Sequence, residues 1–238
     1  SYDEDNEQTK VGLLAARVGE SLESLIQITT RELSQVELHD DATQELDPFD
    51  GEQLSVLAKF KLSLTESVGL TLTLDSQEFE GDYIFNSQAG MSYFPDVVST
   101  SNVLGVDDGN RDRGTLSLDF SNETSMFDNG SIRFYAQETD QKQITTRSKT
   151  YFAAGPPTMV NAYRDYQFNQ DIDGFSADFF KSINNNGRLH NIVYGFEIEN
   201  IEIQRPRIRY ETNLMTGAVN TFLGGEYYPN KTIPDTEI

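Results

Sequence analysis

The chain has no cysteine and no tryptophan, and only two histidines and seven prolines among its 238 residues. Without a thiol there is no disulfide framework, no thiolate zinc site and no cysteine nucleophile. Basic residues are scarce: 18 Lys and Arg stand against 39 Asp and Glu, giving a formal net charge of -21 and a pI of about 4.3. Such a field repels phosphate backbones, which excludes nucleic acid as a partner. Apolar residues make up 37% of the chain, little for filling a large core. No apolar run reaches the roughly 18 residues of a membrane-crossing helix. The catalytic signatures G-x-S-x-G, the P-loop and H-E-x-x-H are missing as well, so the expectation is a protein that is not an enzyme. No signal peptide is visible, and a start on Ser1 reads as processed or truncated.

What is present is aromatic residues and alternation. Phe and Tyr supply 11% of the chain, which argues against disorder. From Leu54 to Leu64 every even position is apolar (Leu54, Val56, Ala58, Phe60, Leu62, Leu64), while Ser55, Lys59, Lys61 and Ser63 stand between them. In a strand this puts aliphatic groups on one face and mostly polar groups on the other. Leu70, Leu72 and Leu74 repeat the pattern, followed by Leu116, Leu118 and Phe120, by Ile132 and Phe134, and by Ile192, Tyr194, Phe196 and Ile198. The phase then slips to Ile201 and Ile203, which predicts a β-bulge near Asn200. Weaker strands are expected at Lys10–Val18, Leu22–Leu33 and Tyr163–Ile183, for a total of about eight. The fold class is all-β and antiparallel.

Connections alternate in predicted length. Gly19–Ser21, Thr65–Val68, Asn122–Gly130 and Asn184–Arg188 are short; Ser34–Gln53, Gly81–Asp112, Ser148–Ala162 and Gln204–Ile238 are long. Tight turns at one rim and long loops at the other describe a transmembrane outer-membrane β-barrel. The polar run Arg133–Arg147 fits a strand that projects past the membrane. Positions predicted to face lipid are Leu54, Val56, Phe60, Leu62, Leu70, Leu72, Leu116, Leu118, Phe120, Ile132, Phe134, Ile192, Tyr194 and Phe196. Lys59, Lys61, Arg133 and Glu197 are predicted to line the lumen.

Several segments, in order along the chain, resemble the TonB-dependent haemoglobin/transferrin/lactoferrin receptor family. Ala15-Ala16-Arg17-Val18-Gly19-Glu20 with Leu22–Arg31 is similar to that family's second barrel hairpin. Met126-Phe127-Asp128, with Phe134–Thr139 and Thr145-Thr146-Arg147, resembles a later hairpin, and His190–Glu197 resembles its H-x-L-x-YG-x-E strand. Arg205-Pro206-Arg207, Thr216-Gly217, Gly225–Pro229, Lys231 and Pro234-Asp235-Thr236 are similar to a loop of the type RPR…TG…GE-x-FP-x-K-x-FPDT. Departures are Ile28-Thr29 where the family has a Tyr, and Ala136 for a second Tyr. The resemblance implies residues 1–238 as a partial receptor domain: about eight strands of a 22-stranded barrel, without its plug. It implies haem or iron from haem proteins as transported cargo, the TonB complex as partner through the plug, outer-membrane lipid as surroundings and the Gram-negative outer membrane as location. The family's haem-ligating histidines lie in motifs that do not occur here, so none is carried over. A TonB-dependent siderophore receptor, a small eight-stranded outer-membrane barrel and a soluble all-β binding protein are the alternatives.

Candidate ligands are few. His39, in Leu38-His39-Asp40-Asp41 of a predicted external loop, is the candidate haem contact through a neutral imidazole. His190 opens a strand after a turn and reads as a rim residue. Asp107, Asp108 and Asp112, in Asp107-Asp108-Gly109-Asn110-Arg111-Asp112, are candidate cation ligands that lack the full calcium-loop spacing. Asp47-Pro48-Phe49-Asp50-Gly51-Glu52 is a second acidic cluster of this kind.

Overall fold

The computed structural model describes residues 2–3, 8–34, 47–94, 96–153, 155–221 and 231–232. Their strands are β1 (Tyr2–Asp3), β2 (Gln8–Val18), β3 (Leu22–Ser34), β4 (Phe49–Thr65), β5 (Val68–Ile84), β6 (Gly90–Ser92) and β7 (Val97–Phe120). The series continues through β8 (Asn129–Phe152), β9 (Thr158–Asn185), β10 (Arg188–Arg205), β11 (Arg207–Asn213), β12 (Val219–Asn220) and β13 (Lys231–Thr232). All join one antiparallel sheet, whose order is that of the chain from β1 to β5, then β7 to β10 and β13. The described strands leave this sheet open. The sole helical element among the described residues is the 3-10 turn Asn86–Gln88.

Local chemistry sets the hairpins. Asn186 and Gly187 both have positive φ (52° and 77°), which is the two-residue turn whose twist matches that of the strands it joins. Thr65 Oγ1 accepts from the Ser67 amide at the turn between β4 and β5. In the turn between β7 and β8, Thr124 Oγ1 accepts from the Phe127 amide at 2.9 Å. Asp128 accepts from the Lys181 ammonium at 2.5 Å and from the Ser182 amide at 2.7 Å, which ties this turn to β9. Those contacts hold the Asp128 carboxyl below its usual 3.8, the Lys181 hydrogen bond being the largest cause.

The sheet is longer and more regular than the sequence predicts. Most of the expected loops Gly81–Asp112 and Ser148–Ala162 are strand, because β7 starts at Val97, β8 runs to Phe152 and β9 starts at Thr158. Both faces are polar or mixed there, so the apolar alternation that betrays a strand is missing although the ladder hydrogen bonds are made. Part of Ser34–Gln53 is strand β4 from Phe49, and Gln204–Ile238 contains β11. Nor is there a bulge at Asn200: β10 pairs with β9 without a register shift from Arg188↔Asn185 to Gln204↔Asn169. Ile201 and Ile203 simply occupy the opposite face from Ile198. Pro206 separates β10 from β11, yet both pair with β9 in one register, and the Pro206 carbonyl still accepts from the Gln167 amide at 2.9 Å. Only the donor that proline lacks is lost. Bulges do occur at Ser63/Thr65 and at Ser101/Leu104, the latter around Asn102 with φ 48°.

Almost nothing is enclosed. Among the described residues the buried apolar side chains are Val103, Val160, Ala162 and Ala177, and the contacts between elements are those of strands with their ladder neighbours. Lateral packing within the sheet replaces a core. Phe49, Tyr83 and Phe85 stack at 4.6 and 5.5 Å between ring centres, and Gly51, Gly81 and Gly105 lie beneath them. Tyr135 lies across Gly174 on the next strand and donates to Glu199 at 2.7 Å or Glu197 at 2.8 Å one strand further on. A Cβ at residue 174 would collide with the Tyr135 ring. Gly174→Val should therefore displace Tyr135 and lower stability by about 1–3 kcal/mol. A denaturant midpoint equal to that of the parent protein would refute this packing.

Candidate functional site

The ladder assigns every strand residue to one of two faces. Leu62 opposes Leu70 and Leu22, Leu70 opposes Leu118, Leu118 opposes Ile132, Ile132 opposes Ala177, and Ala177 opposes Phe196. All fourteen positions predicted to face lipid fall on this side, and Lys59, Lys61, Arg133 and Glu197 fall on the other. The apolar side chains form a continuous band across the sheet, and no layer of the described residues lies over it. Phe134, Phe196 and Ile198 remain 54%, 56% and 67% exposed.

The band does not run perpendicular to the strands. On β4 it reaches Leu54, but Leu54 opposes Glu78, and on β5 the band ends at Leu74, opposite Ala58, with Ser76, Glu78, Glu80 and Asp82 following on that face. On β7 it stops at Leu116, opposite Leu72, and it stays level through Phe134, Phe175 and Ile198. Its edge thus shifts four residues between β4 and β5 and two more between β5 and β7, six residues over the five steps from β4 to β10. Beyond this edge the same face turns acidic. Asp112, Glu138, Asp171 and Glu202 lie directly opposite one another on four successive strands.

Positive charge collects on the other face. Arg111, Arg113, Arg133, Arg147, Lys149, Arg164, Arg207 and Arg209 share it with Lys59 and Lys61. Some of these cations are paired. Arg111 donates to Asp75 at 2.7 Å, and Lys149 donates to Glu211 at 2.6 Å. Glu211 is buried and also accepts from the Tyr151 hydroxyl at 3.0 Å. Burial, helped by the Glu211 charge, pushes the Tyr151 hydroxyl up to about 12. Arg205 and Arg207 stack over Phe168 and Tyr166, at 5.2 and 5.5 Å from the ring centres. Together with Arg111 they line a depression of 660 Å³.

The predicted acidic ligands do not converge. Asp107, Asp108 and Asp112 lie inside strand β7 and not in a loop. Alternation puts Asp107 on the basic face, where it acts on Tyr83, and puts Asp108 and Asp112 on the acidic face. Asp108 and Asp112 are four residues apart along one strand, about 13 Å at the usual rise. No group of three metal-ligating side chains occurs among the described residues. Asp47 instead ties two segments of the chain together. Its carboxylate accepts from the Ser87 hydroxyl at 2.6 Å and the Ser87 amide at 2.7 Å, and these bonds lower its pKa. His190 sits exposed near the start of β10, three residues after the turn at Asn186-Gly187. His39 lies outside the described residues. The sequence reading overlooks the arginine cluster, although Arg205-x-Arg207-x-Arg209 has the period-2 spacing that places three cations on one face.

Comparison with models of known protein families and with curated proteins yields no match. The geometry does yield a titration. Because Tyr151 holds its proton more tightly in the fold, its contribution to stability is complete below pH 10.0 and fades as pH rises toward about 12. Glu211→Gln should bring the Tyr151 ionisation down toward 10.0, followed by NMR of ring-labelled tyrosine. An unmoved titration would show that the carboxylate does not act on this hydroxyl.

Proposed function

We propose that this chain is barrel wall of a TonB-dependent outer-membrane receptor that imports haem, or iron taken from haem proteins, in a Gram-negative bacterium. In this reading it is not a catalyst. The open sheet is an arc of wall, with the apolar band against outer-membrane lipid and the basic, hydrogen-bonding face toward the lumen. Haem or a haem protein is the external partner, and the TonB complex acts through a plug. The motifs that resemble the receptor family supply the cargo and the energy source; the sheet supplies the case for the membrane.

The observation that carries the reading is the slanted, uncovered band. Large contiguous apolar patches are uncommon on water-exposed surfaces. Barrel strands tilt by about 35–45° and lie roughly 4.8 Å apart, so a level lipid belt should slip by roughly one to one and a half residues per strand. The drift of six residues over five steps averages within that range, all of it falling between β4 and β7. The acidic side chains beyond the band, and the mostly polar opposite face, agree with a wall wetted above and within.

The absence of native cysteine makes a direct test simple. Single cysteines at Val56 and Leu72, carrying a fluorophore, should be quenched by spin-labelled lipid in reconstituted vesicles. Cysteines at Lys59 and Thr73 should instead react with a water-soluble maleimide. Equal behaviour of the two sets would sink the membrane reading. Ala58→Arg, at the middle of the band between Leu54 and Leu62, should cost about 2–4 kcal/mol in lipid, while Lys59→Gln on the opposite face should cost much less. For the cargo, a strain expressing the intact receptor should grow on haem as sole iron source only while TonB is present. Growth on a ferric siderophore instead would replace the haem assignment with the siderophore one.

A further inference from the structure

The geometry points to an oxyanion site on the basic face, built by Arg147 of β8, Arg164 of β9 and Arg209 of β11, that takes the carboxylate or phosphate group of a small ligand. This inference goes beyond the transport reading, since strand register alone brings the three residues together. Arg209 lies directly opposite Arg164, and Arg147 lies opposite Ala162, the residue two before Arg164 on the same face. Directly opposed side chains are about 5 Å apart at Cβ and diagonal ones about 7–8 Å, within reach of long guanidinium arms.

Three features separate this cluster from an ordinary charged surface. Like charges set opposite each other destabilise a sheet, and here no described carboxylate forms an ion pair with any of the three. The nearest acid, Glu211, is opposite Ala162 but is engaged by Lys149 and Tyr151. All three arginines are half-buried, and Arg147 Nε is buried without a hydrogen-bond partner. Burial, together with the charges of Arg164 and Arg209, lowers the Arg147 pKa. The cluster therefore stores repulsion and an unmet donor that a single oxyanion would relieve together, through the paired N–H groups that fit carboxylate and phosphate oxygens.

The surroundings indicate what the anion is attached to. One step along the same face, Arg207 covers Tyr166, with Phe168 and Arg205 beyond, at the side of the 660 Å³ depression. An aromatic body extending from the oxyanion would lie against these rings and the flat guanidinium groups stacked on them. The site is thus suited to a small amphipathic acid, and less to a free inorganic ion.

Calorimetric titration of the purified protein with 2-naphthoate, acetate and inorganic phosphate tests this. Saturable naphthoate binding is expected, at least tenfold tighter than acetate, and weakened at least tenfold by Arg147→Gln and by Arg209→Gln. Lys59→Gln, on the same face but on β4, should leave it unchanged. Phosphate binding more tightly than naphthoate would keep the site but assign it to a free phosphate group. No saturable binding of any of the three, or an equal loss on Lys59→Gln, would overturn it in favour of a diffuse field. Should the arginine variants fail to fold, the parent protein still decides: naphthoate must raise its denaturation midpoint above that in sodium chloride of equal ionic strength. The outcome is independent of lipid quenching, so either reading can fail alone.

Discussion

Everything in this molecule depends on the unbroken antiparallel ladder. A strand residue has two possible directions, and the hydrogen-bonded register fixes which one it takes relative to every neighbour. Over most of the sheet the register does not slip, so a choice made at Leu62 carries across to Phe196. A slip of one residue in β7 would move Leu116 and Leu118 onto the basic face and Arg111 and Arg113 onto the apolar and acidic one. The two faces could not both survive that exchange, and the apolar band therefore protects the polar face as much as itself.

With so little enclosed, cohesion comes from the plane of the sheet. Cross-strand rings (Phe134 with Phe175, Phe175 with Phe196, Phe179 with Tyr194) knit neighbouring strands at 4.7 to 5.5 Å on the apolar side. On the polar side Tyr135 links β8 to β10 across β9, and Lys149 and Tyr151 link β8 to Glu211 of β11 across the same strand. Glycine makes these bridges possible at residues 51, 81, 105 and 174, since any larger side chain would lift the ring off the backbone.

The strands and their faces are legible in the sequence wherever one side of the strand is apolar. Leu54–Leu64 and Ile192–Ile198 announce themselves by period 2, and the structure puts them together on one face. The outer halves of β7, β8 and β9 are not legible, because polar side chains alternate there with other polar side chains. Asp107-Asp108-Gly109-Asn110 has the composition of a turn and the hydrogen bonding of a strand; the neighbours β5 and β8 hold it extended against its local preference. The phase change at Ile201 is visible but ambiguous, since a sequence shows that apolar residues have switched sides and not whether the backbone or the surroundings changed. The arginine cluster is hidden for another reason: its members come from three strands, and only register joins them.

The strands differ in how far they continue past the apolar band. β4 carries five residues beyond Leu54 and β5 ten beyond Leu74, whereas β7 carries nineteen beyond Leu116 and β8 eighteen beyond Phe134. At the usual rise this is about 16 Å on the short flank and about 60 Å on the tall one. The rim is therefore a ramp. Among the described strands the parapet is low at β4 and high at β7 and β8, and the unpaired arginines stand on the tall flank. The height at which each polar side chain stands above the apolar band is thus set by unequal strand length.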